Sequence, residues 1–254
     1  MSGESRRIGL ARMLSKLGYC SRSQASELIR AGRVTLNRAT RRDPETPVRS
    51  EHDQIAVDGQ LVRAAKYAYL VMNKPRGLVT TASDEKGRET IYSILKGGEA
   101  LSWIAPVGRL DKASEGLLLL TNDSQWASRI CAPESHLPKT YHVQVNAIAS
   151  EALLRAMERG VKSEDGDSLR ATRCRLLRSG EKNSWIEITL EEGKNRQIRR
   201  MLGTLGVEVL GLIRVSIGPL QLGTLQKGEY RSLTPDEKTA LDRAMKESSS
   251  RARR

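Results

Sequence analysis

The strongest constraint on the fold comes from residues 106–123, which read Pro-Val-Gly-Arg-Leu-Asp-Lys-Ala-Ser-Glu-Gly-Leu-Leu-Leu-Leu-Thr-Asn-Asp. The short apolar run from Leu117 to Leu120 is typical of a strand buried on both faces. Asp111 lies on the turn just before this run. A carboxylate at the mouth of a buried strand can become a reactive acid, because burial raises its pKa and a neighbouring cation lowers it. Asp also commonly ends a loop without further role, and position alone favours that second interpretation.

Length, charge and cysteine content narrow the class of protein. The 254 residues suffice for one large domain or two unequal ones, and the net charge of +13 predicts an anionic partner, nucleic acid first. Cys20, Cys131 and Cys174 are scattered, and the histidines have no zinc-ligand spacing, so we expect neither a disulfide framework nor a bound metal. We find no apolar stretch near 18 residues and no signal peptide, which predicts a cytoplasmic protein without membrane association.

Residues 8–62 have the pattern of a small separate domain. Apolar residues from Leu10 to Leu17 recur at helical spacing, and Ser21-Arg-Ser-Gln24 has the spacing of a capping box. A second helix is predicted to end at Gly32, where a short strand begins, and a second strand contains an Asp58-Gly59 turn.

The stretch Leu-Gly-Tyr-Cys-Ser-Arg-Ser-Gln-Ala-Ser-Glu-Leu-Ile-Arg-Ala-Gly-Arg-Val-Thr-Leu-Asn, residues 17–37, resembles the alpha-L RNA-binding domain found in ribosomal protein S-four. The resemblance covers about 50 residues. It implies that arginines of the second helix and the following strand contact RNA phosphates. The residues concerned are Arg22, Arg30 and Arg33.

Two further segments carry unusual chemistry. Tyr141 begins a predicted strand and offers a flat ring with a polar tip, although an ordinary half-buried strand aromatic fits equally well. Residues 193–200 place four cations in a basic turn that opens a helix. Cations there oppose the positive end of the helix dipole, so either an anion lies nearby or the turn is simply solvated.

One acid, one ring and one cation cluster without metal ligands do not suit metal-dependent phosphodiester cleavage, which needs clustered carboxylates. They do not suit methyl transfer either, since the glycine loop for a methyl donor is absent. They suit cofactor-free chemistry on a single nucleotide taken out of its stack.

Three blocks resemble the signatures of the ribosomal pseudouridine synthases, specifically the small-subunit synthase A and large-subunit synthase B, E and F family. They are Gly-Arg-Leu-Asp-x-x-x-Glu-Gly-Leu-Leu-Leu-Leu-Thr-Asn-Asp, Lys-Thr-Tyr, and Glu-Gly-x-Asn-Arg-Gln-Ile-Arg-Arg-Met. The resemblance extends over about residues 8–240. It implies an α+β protein, with an alpha-L domain at 8–62 and a mixed α/β catalytic domain on a largely antiparallel sheet at 67–245. The Ser- and Arg-rich residues 246–254 are predicted to form a disordered basic tail.

The resemblance also implies a role for each matching residue. Asp111 corresponds to the essential aspartate, either as a nucleophile or as a base on the ribose, Tyr141 to the ring that stacks on the flipped uracil, and Arg199 to the cation that pairs with the aspartate. Arg109 corresponds to the arginine that holds the target nucleotide out of the helix. The remaining cations expected along the RNA path are Lys74, Arg76, Lys194, Arg196 and Arg200.

The predicted function is therefore the isomerisation of uridine to pseudouridine in ribosomal RNA, without metal or cofactor. The partner is ribosomal RNA or a ribosomal precursor particle, and we expect a monomer. The alternative is a non-catalytic RNA-binding factor for ribosome assembly that uses the same basic surfaces. The sequence identifies neither the target uridine nor the ribosomal subunit that contains it.

Overall fold

The computed structural model describes residues 7–49, 52–81, 84, 86–95 and 103–251. The chain divides into two compact units. The first comprises the described residues up to Tyr69, together with those of 97–105 and 120–128. The second contains the other described residues.

The described part of the chain contains six α-helices. They are α1 (Leu10–Lys16), α2 (Arg22–Arg30), α3 (Ser124–Cys131), α4 (Glu151–Arg159), α5 (Gln197–Thr204) and α6 (Pro235–Arg251). Two short 3₁₀ helices cover Ile91–Ser93 and Pro133–Ser135. None of the helices described here is both long and apolar enough to cross a membrane.

Seventeen strands are described. They are β1 (Ile8–Gly9), β2 (Val34–Leu36), β3 (Ala39–Arg41), β4 (Pro47–Val48), β5 (Ile55–Val57), β6 (Gln60–Leu61), β7 (Tyr69–Lys74), β8 (Ala105–Val107), β9 (Glu115–Thr121), β10 (Lys139–Val145), β11 (Val161–Lys162), β12 (Ser168–Leu169), β13 (Arg173–Ser179), β14 (Ser184–Leu190), β15 (Val209–Ile217), β16 (Leu220–Gln221) and β17 (Tyr230–Ser232).

The first unit packs α1 and α2 on a four-stranded sheet in the order β3-β2-β5-β6. The capping box is confirmed: Gln24 N donates to Ser21 Oγ (3.1 Å), and Ser21 N donates to Gln24 Oε1 (3.0 Å). Apolar side chains from both helices and the sheet are fully buried in one core, as the helical spacing predicts. They include Leu10, Leu14, Ile29 and Val34.

A nine-stranded sheet lies mostly in the second unit, in the order β13-β14-β10-β15-β9-β7-β17, with β16 on β15 and β8 on β9. The pairings of β10 with β14 and β15 are antiparallel and seven residues long, whereas β15 and β9 pair in parallel over two positions. The predicted α+β fold with a largely antiparallel sheet is therefore confirmed. The sequence also predicts strands at 139–145 and 184–190, and these agree with β10 and β14 at both ends.

The structure differs from the predicted domain limits at two internal segments, the described residues of 97–105 and Leu120–Ser128. Leu120–Ser128 groups with the first unit, because the Asn122 side chain bonds to the backbone on both sides of Tyr67: its Nδ2 donates to Lys66 O (3.0 Å), and its Oδ1 accepts from Ala68 N (2.8 Å). Local periodicity cannot reveal such a long-range attachment.

The carboxyl end also differs from the prediction. Helix α6 runs to Arg251, so the disordered tail predicted from residue 246 is wrong for 246–251. Acidic residues in the first turn of α6, Asp236 and Glu237, favour this helix, and Glu237 also accepts from Thr234 N at 2.9 Å. Residues 252–254 of the predicted tail lie outside the described residues.

Candidate active site

Asp111 lies on the tight turn between β8 and β9. Gly108 opens the turn with a φ of +72°, and Ser114 N donates to Asp111 O at 3.0 Å. The Asp111 side chain is exposed, so the expectation of a buried carboxylate is wrong. The strand after the turn is as buried as predicted, because all four leucines from 117 to 120 have no exposed surface. The acid is thus presented to solvent from a rigid support.

Lys74, the last residue of β7, holds this turn from inside the protein. Its side chain is 0% exposed, and Nζ donates to three backbone oxygens: Pro75 O (3.2 Å), Asp111 O (3.1 Å) and Ser114 O (2.8 Å). The predicted contact of Lys74 with RNA is therefore wrong, because its side chain has no exposed surface and its three N–H groups already donate to backbone oxygens. Lys74 instead fixes the backbone on both sides of the Asp111 turn.

The burial of Lys74 predicts an unusual pH dependence of stability. Burial lowers the Lys74 pKa from 10.5 to about 8, against smaller raising effects of Glu115 and Asp111. Between these values the unfolded chain binds more protons than the folded one, so the free energy of unfolding should rise with pH from about 8 to 10.5. Urea unfolding across this range measures the rise. In Lys74→Met this contribution to the free energy of unfolding should be absent. If the free energy of unfolding rose equally with pH in both proteins, the role of Lys74 would be contradicted.

Arg199 approaches the same turn from α5. Its Nη2 donates to Ala113 O (3.3 Å) and its Nη1 to Val209 O (3.2 Å). Burial lowers the pKa of Arg199, and the positive charge of Arg196 lowers it further, whereas the negative charge of Asp111 raises it. No ion pair of 4.0 Å or less joins Asp111 and Arg199, both of which are described. The predicted partner therefore lies near the acid, but it contacts the turn through a backbone carbonyl rather than through the carboxylate.

Tyr141 is the third residue of β10 and is 9% exposed, so it lies within the strand rather than at its end. Its cross-strand neighbours are Ile188 on β14 and Arg214 on β15. A register shift between Thr140 and Tyr141 marks a bulge in the β10–β15 pairing at this point. Bulges commonly re-aim side chains beside active sites.

The other predicted RNA-contacting cations of the second unit fall into two groups. One group is exposed and consists of Arg76, Arg109, Lys194 and Arg196, although Lys194 Nζ also forms an ion pair with Glu192 (3.4 Å) and donates to Ser168 O (2.7 Å). Arg200 does not belong to it, because its Nη2 forms ion pairs with Asp165 (3.0 Å) and Asp167 (2.8 Å) and also donates to Ser163 Oγ (2.9 Å). An RNA phosphate would therefore have to compete with two carboxylates for Arg200. Arg200 anchors the β11–β12 hairpin to α5.

Within the first unit, Arg22 and Arg30 are exposed on α2. Arg33 is exposed as well, but its Nε and Nη2 donate to the two oxygens of Asp58 at 2.9 and 2.5 Å. This hydrogen-bonded pair raises the pKa of Arg33 and lowers that of Asp58. An RNA phosphate would have to compete with Asp58 for Arg33, whereas neither Arg22 nor Arg30, both within the described range, forms an ion pair.

Arg214 is a site residue that the sequence analysis missed. It is 4% exposed, and its Nε donates to Leu117 O at 2.7 Å. The available signal was the alternation along β15, which places residue 214 on the same face as buried Leu212 and Ser216. A charged residue at an inward position of a strand is a functional-site candidate, because buried charges are costly. The described residues contain no group of three or more His, Cys, Asp or Glu side chains that could hold a metal ion.

Two family models match this chain. A family model for RNA pseudouridylate synthase matches residues 68–204, and one for the S4 domain matches residues 8–55. The chain is 38% identical over 230 residues to ribosomal large subunit pseudouridine synthase B of Bacillus subtilis, covering 90% of this chain and 93% of that protein.

Two further matches cover almost the whole chain. An uncharacterized RNA pseudouridine synthase of Aquifex aeolicus is 36% identical over 239 residues, covering 94% of this chain and 95% of that protein. A crystal structure of a pseudouridylate synthase superimposes with a TM-score of 0.65 at 30% identity, covering 92% of this chain and 99% of that one. This chain therefore belongs to the RNA pseudouridylate synthase family.

Proposed function

We propose that this protein converts uridine to pseudouridine in ribosomal RNA, with Asp111 as its catalytic aspartate. The observation that carries the proposal is the Asp111 turn, whose backbone Lys74 and Arg199 hold while its carboxylate remains exposed. Family membership supports the reaction, and the name of the Bacillus subtilis relative supports ribosomal RNA as the substrate.

The reaction is an isomerisation and needs no further reactant. The N1–C1′ bond of uridine breaks, the uracil turns within the site, and C5 bonds to C1′. C5 then loses its proton and N1 gains one, so atoms and electrons balance. Asp111 would act on the ribose, either by adding to it or by removing its 2′ proton. Arg199, which donates to Ala113 O in the same turn, places a positive charge near this carboxylate.

The exposed cations supply the RNA contacts in this proposal. In the second unit they are Arg76, Arg109, Lys194 and Arg196, with Arg109 holding the target nucleotide out of its helix. In the S4 domain, the RNA contacts come from Arg22 and Arg30. Flipping a nucleotide costs a few kcal/mol, which phosphate contacts and base stacking offset. We further propose that the protein works as a monomer in the cytoplasm, on ribosomal RNA or a precursor particle.

Mapping pseudouridines in a strain that lacks the gene tests this proposal. After carbodiimide treatment of the ribosomal RNA, reverse transcription should stop at the same positions in the parent strain and in the mutant, with one exception. One stop of the parent strain should be missing from the mutant. The position of the missing stop identifies the uridine and its subunit. An unchanged set of stops would contradict the proposal.

Tyr141 should act mainly through its ring. Tyr141→Phe is expected to keep turnover near that of the unmodified protein, because the phenyl ring can still stack on the uracil. Tyr141→Ala should lower turnover on the order of 10- to 100-fold, since stacking on an aromatic side chain contributes roughly 1–3 kcal/mol per base. Release of tritium from [5-³H]uridine in ribosomal RNA measures both. Equal losses of turnover in Tyr141→Phe and Tyr141→Ala would show that the hydroxyl, not the ring, carries the function. Because Tyr141 is buried, thermal unfolding must confirm that both variants remain folded.

A further inference from the structure

Three buried or half-buried cations of the second unit have no acidic partner among the described residues, and one of them, Arg214, is close enough to lower the pKa of the other two. They are Lys74, Lys139 and Arg214, of which Lys74 and Arg214 are buried. Within the described part of the chain, no carboxylate approaches any of the three to 4.0 Å. Taking a charge out of water costs several kcal/mol unless a partner compensates it. Backbone oxygens satisfy Lys74, so the charges that remain least compensated are those of Arg214 and Lys139. Such a pair predicts that an anion binds beside them.

Arg214 has the least satisfied side chain of the three. Its Nε donates to Leu117 O, which ties β15 to β9, but its Nη2 is buried without any hydrogen-bond partner. Arginine presents five N–H donors, and a strand-to-strand link through Nε uses only one of them. A purely structural role therefore leaves the free Nη2 unexplained.

Tyr141 lies directly beside this cation. Tyr141 and Arg214 are cross-strand partners in the β10–β15 pairing, so their side chains share one face of the sheet. Lys139 is two residues before Tyr141 on β10 and shares that face as well. Its Nζ donates only to Leu137 O (2.9 Å), and burial, then Arg214, lowers its pKa.

Contacts on two sides connect these cations to the Asp111 turn. A Cβ atom at Gly108 would lie 3.6 Å from Cys131 Sγ. Burial raises the pKa of the Cys131 thiol, whereas Lys139 and Arg214 lower it, so both cations act on a group that contacts the turn. On the other side, Arg214 lowers the pKa of Lys74, which donates to Asp111 O. Cys131 and Lys74 are therefore neighbours that these cations share with the Asp111 turn.

We infer that Arg214, assisted by Lys139, binds the uracil base of the target nucleotide and stabilises its negative charge while the base is detached from the ribose. This inference rests on the proposed function and adds a base-binding residue to it. When the N1–C1′ bond breaks, its electron pair leaves with the uracil, and the charge spreads over N1 and the two carbonyl oxygens. The free Nη2 of Arg214 is a donor suited to such an oxygen. The charge is consumed when C5 bonds to C1′, after which C5 loses its proton and N1 gains one.

Arg214→Gln tests the inference under single-turnover conditions. The substrate is ribosomal RNA from a strain lacking the gene, and the loss of the target uridine is followed by nuclease digestion and chromatography. We expect the rate to fall on the order of 10²- to 10³-fold, as when one preorganised donor to a developing anion is removed. Arg173→Gln is the matched control: Arg173 is exposed on β13 of the same sheet, and we expect no change in rate.

A second substrate separates charge stabilisation from a structural role. Fluorine at C5 withdraws electrons, so 5-fluorouracil leaves as a more stable anion than uracil. If Arg214 stabilises that anion, Arg214→Gln should slow loss of 5-fluorouridine at least about 5-fold less than loss of uridine, since less stabilisation remains to be lost. A residue that only links β15 to β9 would slow both substrates by the same factor.

The possible outcomes distinguish the two proposals. Equal slowing of both substrates, or a rate unchanged by Arg214→Gln, would overturn the inference while leaving the proposed function intact. Failure of the unmodified protein to form any pseudouridine would instead overturn the proposed function. If thermal unfolding shows that Arg214→Gln does not fold, Lys139→Gln at the half-buried position provides the test. Lys139→Gln should lower the rate less than Arg214→Gln does, and it should again slow loss of uridine more than loss of 5-fluorouridine. An equal loss of rate for both substrates would overturn the inference.

Discussion

Replacing Asp111 with Asn is expected to abolish the release of tritium from [5-³H]uridine in ribosomal RNA. The expected loss is at least about 10³-fold, which corresponds to about 4 kcal/mol of transition-state stabilisation. Asn has nearly the shape of Asp, but its amide can neither add to the ribose nor take a proton from it. The turn should keep its geometry, because Lys74 and Ser114 bond to the backbone oxygen of residue 111 and not to its side chain.

The matched control for this prediction is Asp236→Asn. Asp236 is an exposed carboxylate in the first turn of α6. This change removes the same charge elsewhere in the chain, so it should leave tritium release unchanged. Full activity of Asp111→Asn would contradict the role proposed for Asp111. Binding of ribosomal RNA by the unmodified protein without any product would instead indicate a non-catalytic assembly factor.

Gly116→Ala should destabilise the protein by more than about 4 kcal/mol, beyond the usual range for a single substitution. Gly116 pairs with Arg214 where β9 meets β15 in parallel. A Cβ atom there would overlap the Arg214 carbonyl oxygen and lie 2.8 Å from the Arg214 amide nitrogen. These are backbone atoms of a paired strand, so they cannot move aside as the end of a flexible side chain can. Chemical denaturation measures the loss.

Gly77→Ala is the matched control, because Gly77 has almost the same φ (+102°) as Gly116 (+100°). A Cβ atom at Gly77 would meet nothing within 4 Å. This variant should therefore show only the cost of a left-handed backbone, roughly 1–2 kcal/mol. The difference between the two variants isolates the steric overlap with β15. Similar losses would show that backbone conformation, and not the close approach of two strands, requires the glycine at 116.

Elements with a strong local pattern agreed between sequence and structure. The alternating residues of β10 and β14 predict the first and last residue of both strands correctly. The Ser21–Gln24 capping box begins α2 as expected. By contrast, β13 was missed because five of its seven residues are exposed, which leaves little apolar alternation to detect. Helix α6 was missed because the Ser and Arg residues at its end suggested disorder.

The site residues divide in the same way. Asp111 was singled out from its turn and from the leucines behind it, and those leucines are fully buried. Lys74 was misjudged because Asn-Lys-Pro-Arg-Gly has the composition of an exposed basic loop, whereas residue 74 ends a buried strand. Arg214 was overlooked because a single arginine in a strand gives no motif.

The amino-acid sequence alone establishes the kinds of elements, the turn that presents Asp111 and the resemblance to pseudouridine synthases. These follow from short-range periodicity, turn chemistry and motif spacing, all of which act within a few residues. Only the tertiary structure decides which cations are free for RNA, which are paired and which are buried. Arg200 is neutralised by Asp165 and Asp167, and Arg214 is buried beside Tyr141. The environment of a charge depends on residues that are distant in the chain, and no local pattern records them.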